Sequence, residues 1–477
     1  MTSKRIWTAF AVVVVAAVAL IASLLTTTGP VSRAAQGGVA KVTASTTVCP
    51  DVFRGRGGVG TDVTVARVTT DGAPQVALSH LGARRAAQRL KLAPSSALPQ
   101  AARAGSVAVT ASGLGAEGLV ATRTGLTPAG PGRGLADTAC LPPSTDSWLV
   151  GADGRIGFSD WLVVANPSDA PANVAISFWS SRGPLSPPGT SNLIFTPHSV
   201  LARPVSNFAP DVPGLALHVH ANSGTVAAWV SELQFSGTTA MGTDWIAPSV
   251  APARTAVVTG FISGATFDRL DLVNPGDKDA TVALRLLTPT RNFVPAGHQS
   301  VVVPAGHTTS VDLSGSVSGE SAAVLITSDL PVTASGLTAQ APSNGLRELA
   351  WLPAQAPLRS PAGIANNAPP FDQRVHLILT APQATARVRV SQPSGRSIDL
   401  TVTGGHTADV DLEKLFNVGP SGPGPLLITP LDAPVCVARM LYAVGSHGPL
   451  FAVSVPTVLP QPTRLPPVVP DLRAALP

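Results

Sequence analysis

Asn166-Pro167-Ser168-Asp169-Ala170-Pro171-Ala172-Asn173-Val174-Ala175-Ile176 returns 108 residues later as Asn274-Pro275-Gly276-Asp277-Lys278-Asp279-Ala280-Thr281-Val282-Ala283-Leu284. Asn-Pro followed by Ser-Asp or Gly-Asp is turn chemistry, because proline fixes φ and the Asx side chain bonds its own backbone two residues on. The residues beyond the turn alternate apolar and polar, as a strand with one buried face does, and Leu270 and Leu272 alternate likewise ahead of the second copy. The frame therefore reads strand, tight turn, strand. Its recurrence makes it part of a repeated module.

Two further landmarks extend the repeat. Gly306-His307-Thr308-Thr309-Ser310-Val311-Asp312-Leu313 reappears 99 residues on as Gly405-His406-Thr407-Ala408-Asp409-Val410-Asp411-Leu412. A degenerate earlier copy, Pro197-His198-Ser199, precedes it by 109 residues when His198 is matched to His307. Residues 326–334 likewise resemble 428–438. Six or seven short strands per unit of roughly 100 residues is the pattern of a Greek-key sandwich. The predicted fold is all-β, a tandem array of immunoglobulin-like β-sandwich domains. A β-propeller is the alternative, although its blades repeat at roughly 40–50 residues. The predicted units are a diverged N-terminal β domain at 29–147, repeats at 148–253, 254–360 and 361–458, and a Pro-rich tail at 459–477.

Composition agrees with strands. Hydrophobic residues are 44% of the chain, which excludes global disorder, and 46 prolines with 44 glycines disfavour long helices. Charged residues are only 12%, and the net charge of +5 gives no basis for nucleic-acid binding without an interleaved aromatic stripe. At the N-terminus Lys4 and Arg5 precede an uncharged run over 6–25, long enough to cross a bilayer. The leading charges predict a cytoplasmic N-terminus and an extracytoplasmic remainder. The segment 1–28 is either a retained signal anchor, a transmembrane helix, or a signal peptide cleaved after Ser32-Arg33-Ala34, which leaves the chain secreted. Of the three cysteines, Cys49 and Cys140 are the preferred disulfide, each beside a proline at the edge of one domain. Cys436 then remains, as a small apolar core residue.

Candidate chemistry is sparse. Residues 55–60 fit GxGxxG, but the alternating run from Thr61 to Val68 follows where a dinucleotide site needs a helix. His218-Val219-His220 places two imidazoles on one strand face, a geometry zinc accepts, with no third ligand near in sequence. His307 and His406 are expected to bond their own turns. Asp268, Asp271, Asp277 and Asp279 lack calcium-loop spacing and read as solvated loop acids. Trp148, Trp161, Trp179, Trp229, Trp245 and Trp351 read as core. Between 72 and 116 there is no acid, while Arg84, Arg85, Arg89, Lys91 and Arg103 are all basic. This segment reads as a solvated face, or as a contact for anionic envelope polymer or lipid headgroups.

The anchor, the Val48-Cys49-Pro50 opening, Ala139-Cys140-Leu141-Pro142 ahead of a tryptophan, and the Asn-Pro-x-Asp strand pair together resemble domain-of-unknown-function family 5719, an actinobacterial group of envelope proteins. That resemblance transfers no activity and no site residues; gene neighbourhood in that group implies partnership with membrane glycosyltransferases. The expectation is a non-enzymatic extracytoplasmic protein, with no cofactor or resident metal, acting as a structural or docking module. The alternatives are an accessory subunit of envelope glycoconjugate assembly, and a polysaccharide hydrolase with acids distant in sequence.

Overall fold

The structure is a computed structural model that describes residues 38–50, 60–83, 85–93, 96–101, 105–317, 319–341, 346–367, 374–419, 422–445 and 447–465. The predicted membrane segment 6–25, the cleavage motif, residues 55–59 of the GxGxxG match, Arg84 and Arg103 lie outside them. Among the described residues no helix is long and apolar enough to cross a membrane. The described residues divide between two compact units. In the smaller, Val39–Ala40 pairs antiparallel with Thr463–Arg464. All that follows concerns the larger, residues 42–460.

The chain is all-β, with several sheets and none closed into a barrel. One strand order recurs four times. In the N-terminal copy the strands Ala44–Cys49, Val107–Ser112, Gln75–His80 and Gln88–Leu90 form one sheet, and Ala97–Ala101, Gly60–Arg67, Leu119–Thr127 and Gly134–Ala139 form the other. In chain order these are 1-6-3-4 and 5-2-7-8. The next copy places Asp146–Ala152, Leu215–Ser223 and Ala172–Ser180 in its first sheet, with Val200–Pro204, Trp161–Ala165, Ala227–Ser236 and Thr239–Ile246 in its second. The third copy shares the 19-residue strand Ala322–Gln340 between its two sheets. Its front half pairs with Ala253–Phe261 and Ala280–Leu287, its rear half with Phe267–Asn274 and Glu348–Gln355. The last copy ends on the strands Cys436–Gly445 and Gly448–Ser454.

The Asn-Pro frame works as its chemistry requires. Asn166 Nδ2 donates to Ala170 O at 2.8 Å and Phe195 O at 3.2 Å, while its Oδ1 accepts Ser168 N–H at 3.0 Å. Asn274 repeats this with Lys278 O at 2.7 Å, Val303 O at 2.9 Å and Gly276 N–H at 3.0 Å. Each buried amide thus ties its own turn to an edge strand. Truncating Asn274 to alanine strands a buried carbonyl, with an expected loss of about 1–3 kcal/mol in urea unfolding, and Asn166→Ala should match it. A loss near zero at both would show that water replaces the amide.

The strand register moves one landmark by a residue. Ala165 pairs with Val200 as Val273 pairs with Thr308, so Ser199 is the counterpart of His307 and His198 that of Gly306. The offset is 108 throughout, and His198 occupies φ +56° where Gly306 has +70° and Gly405 has +74°. Histidine tolerates this region better than most side chains. His307 and His406 bond their own turns through Nδ1, at 2.6 Å to Ala305 O and 3.0 Å to Gly404 O.

The copies do not keep separate cores. Leu337, Leu349 and Trp351 of the third copy join the apolar cluster of the second, and Ala438, Phe451 and Val453 of the last join that of the third. Leu135 of the first is buried with the core of the last. The final strands of all four copies therefore converge. Their approach is close: a Cβ on Gly134 would lie 2.3 Å from Thr243 Cγ2, and one on Gly242, at φ +114°, 2.9 Å from Leu349 N. Cys49 and Cys140 are disulfide-bonded across the first core, and Cys436 is free and buried beside Val257 and Ala323.

Candidate functional site

Strand Leu215–Ser223 buries Leu217, Val219 and Ala221 against the second core, so His218 and His220 share the outer face. The neighbouring strand sets Asp146 opposite His220 and Trp148 opposite His218. Asp146 Oδ1 lies 2.8 Å from His218 Nε2 and 3.0 Å from His220 Nδ1. The three ligand atoms fall within 4.8 Å of one another. Register across 72 residues of chain supplies the third ligand that local sequence lacked.

Aromatic packing fixes this cluster from below. The His218 ring stacks on Trp148 with centroids 4.1 Å apart and planes 11° from parallel, and Trp148 in turn stacks on Trp179 at 5.2 Å. Trp148 and Trp179 thus cover an outer sheet face, against Val150, Ala216 and Val273, instead of filling a core between sheets. Trp229, Trp245 and Trp351 are fully buried, as expected of core residues. Hydrogen bonds from His220 and then His218 hold the Asp146 carboxyl below its usual range, although burial opposes them. Burial keeps His218 below the usual imidazole value.

A second polar assembly occupies the convergence of the four final strands, and its acids are sealed from solvent. Three of these strands lie at sheet edges, and Glu348–Gln355 has a second strand partner only at Ala354 and Gln355, so their backbone N–H groups need acceptors. Asp244 Oδ2 accepts the Trp351 N–H at 2.8 Å, and Glu348 Oε2 accepts that of Leu135 at 3.0 Å. Glu232 Oε1 accepts the Trp351 indole N–H at 2.9 Å. Arg439 pairs with Asp137, and Arg133 Nη2 donates to Pro449 O at 2.6 Å. A cavity of about 10 Å³ lined by Asp137, Trp245, Trp351 and Ser454 remains between these strands. That is about the space of one water.

Burial raises Glu348, Asp244 and Glu232. Glu348 is pushed up to about 8, and Asp244 also rises. Asp160 and Glu232 rise as a buried pair, through burial and then, for Asp160, through the Glu232 charge. Asp268 rises to about 7, again through burial. The four acids expected in a solvated loop are split. Asp268 and Asp271 are buried on a strand, Asp271 bonded to Arg269 and Ser310, while Asp277 and Asp279 are exposed in the turn.

A model of the DUF5719 family, a family of unknown function, matches residues 93–413. The chain belongs to that family. The match to the DUF5719 family runs through both Asn-Pro turns and the histidine cluster, and no curated protein matches the chain. Elsewhere on this DUF5719 member, an open groove of about 710 Å³ lies between the turn after Gln75–His80 and the turn holding His198. Arg85, His80 and His198 line it, and Arg89 and Lys91 are exposed on the same segment.

Proposed function

We propose that this chain is a non-enzymatic extracytoplasmic docking module, built of four immunoglobulin-like sandwiches locked into one body. It offers the groove at Arg85, with Arg89 and Lys91 exposed on the same segment, to an anionic envelope polymer. The observation that carries this reading is where the acids lie. Carboxylates of the kind that could act as acid and base, Asp160, Glu232, Asp244 and Glu348, are buried and serve as hydrogen-bond acceptors. By contrast Arg85, Arg89 and Lys91 face solvent. The disulfide fits an oxidising compartment. The immunoglobulin-like assignment draws support from strands 2 and 5 sharing one sheet and 3 and 6 the other, as strands B, E and C, F do there. Strands 1, 4 and 7 lie in the opposite sheets from that fold.

The test is equilibrium binding of a phosphate-bearing polysaccharide to the full chain, with neutral dextran as control. Binding should weaken steeply with salt, because screened contacts between exposed charges lose strength beyond a Debye length. It should also fall at least about tenfold in the Arg85→Glu, Arg89→Glu, Lys91→Glu variant, a reversal of three charges. Equal affinity for dextran, or hydrolysis of the polymer abolished by one Asp or Glu substitution, would overturn the reading. Deleting 29–147 is no substitute, since it removes Asp137 from Arg439.

A further inference from the structure

We propose that Asp146, His218 and His220 form a binding site for a divalent transition cation, Zn²⁺ foremost, with one coordination position open to solvent. Two imidazole nitrogens and a carboxylate oxygen are a borderline donor set that favours zinc and its neighbours over calcium or magnesium. Three protein ligands with a fourth position left for water is the arrangement of zinc sites that remain accessible. The exposures match it, since the side chains of His220 and Asp146 are 44% and 46% exposed while that of His218 is 19%.

The two carboxylate–imidazole distances are close to those of a filled site. Zinc bonds of about 2.0–2.2 Å put tetrahedral ligand atoms roughly 3.3–3.5 Å apart. Asp146 Oδ1 now sits 2.8 and 3.0 Å from the two nitrogens, so those two pairs open by only a few tenths of an ångström, and the nitrogens, within 4.8 Å of each other, settle around the ion. The surroundings already hold them. Trp148 sets the plane of His218, and Thr145 Oγ1 donates to the other Asp146 oxygen at 3.2 Å. All three ligands stand on paired strands, which position a site more firmly than loops do. Other histidine–carboxylate contacts, His198 with Asp169 and His376 with Asp409, bring one imidazole each and no second. This site does not overlap the groove proposed above, and its test does not depend on it.

The experiment titrates the tag-free full-length chain with Zn²⁺ against a chromophoric chelator, and with Co²⁺ followed by visible absorption. One equivalent should bind, with the Co²⁺ spectrum of a four-coordinate site. Loss of an outer partner alone typically costs about 10–100-fold in affinity, so His220→Ala, which removes a ligand, should cost about 100-fold or more. Asp146→Asn should also weaken binding, while His376→Ala should leave it unchanged. Circular dichroism of each variant checks folding. His220 is half-buried and Asp146 exposed, and His220→Ala alone decides the matter if Asp146→Asn misfolds. Absence of saturable binding, or one equivalent retained by a folded His220→Ala, would overturn the proposal.

Discussion

Replacing Arg439 with methionine will destabilise the protein by about 3–5 kcal/mol, because it leaves the Asp137 carboxylate buried without its cation. Arg439 is 1% exposed and reaches three places at once. It pairs with Asp137, donates to Asn366 O at 2.6 Å, and bonds Ser454 Oγ at 3.0 Å. Asp137 stands on the final strand of the first copy and Arg439 on the seventh strand of the last, so the pair joins the first copy to the last. Methionine keeps most of the volume, which separates lost charge pairing from a cavity. The companion variant is Asp137→Leu together with Arg439→Met. Buried ion pairs replaced by apolar residues of similar size are often neutral in stability. The double variant should therefore recover most of the loss in urea unfolding. Additive losses would place the cost in packing and not in the stranded charge.

What the sequence made legible was local. The Asn-Pro turns, the histidines bonded to their own turns and the Cys49–Cys140 pair follow from residues whose chemistry acts within a few positions, or from flanking prolines. The all-β class follows likewise from alternation. The ring of contacts among the four final strands does not, because it depends on which sheet edges meet. One signal was available: Arg439 stands alone in the apolar run from Val435 to Leu441, and Glu232 is the single charge between Ala227 and Leu233. A single charge inside an otherwise apolar strand has to find a partner on another element, since burying it unpaired is costly. Asp146 gave no such sign. Its place beside His218 and His220 depends on the register between two strands of the second copy, and a slip of one residue would turn it to the other face. His198 corresponds to Gly306 and not to His307 for a related reason: the position is defined by its left-handed backbone, which residue identity does not reveal.

Stability should fall as pH rises from about 5 to 8, the opposite of the trend expected where paired surface carboxylates dominate. Burial raises Glu348 to about 8 and Asp268 to about 7, and it raises Asp160, Asp244 and Glu232 as well. An acid whose folded pKa exceeds its unfolded value binds more protons when folded. Its contribution is complete below the unfolded pKa, near 4 for these groups, and is lost as pH climbs through the folded value. Each such group adds a slope of up to about 1.4 kcal/mol per pH unit inside that window. Two sets of groups oppose it. Asp146, Asp409 and Asp411 are lowered by their hydrogen bonds, so they favour the folded state above the usual carboxylate range and withdraw that support only in stronger acid. His218, lowered by burial, favours folding as pH rises through the usual imidazole range. The five raised acids outweigh one histidine, which puts the maximum near pH 5. Glu348→Gln isolates one of these acids, because glutamine keeps an acceptor for the Leu135 N–H while removing the ionisation. Melting temperatures measured from pH 4 to 8.5 should decline above pH 5 in the wild type and decline less in Glu348→Gln, with the gap widest near pH 8. A wild-type profile that rises to neutrality would mean that these carboxylates are ionised inside the fold and that the arginines beside them, Arg133 foremost, outweigh burial.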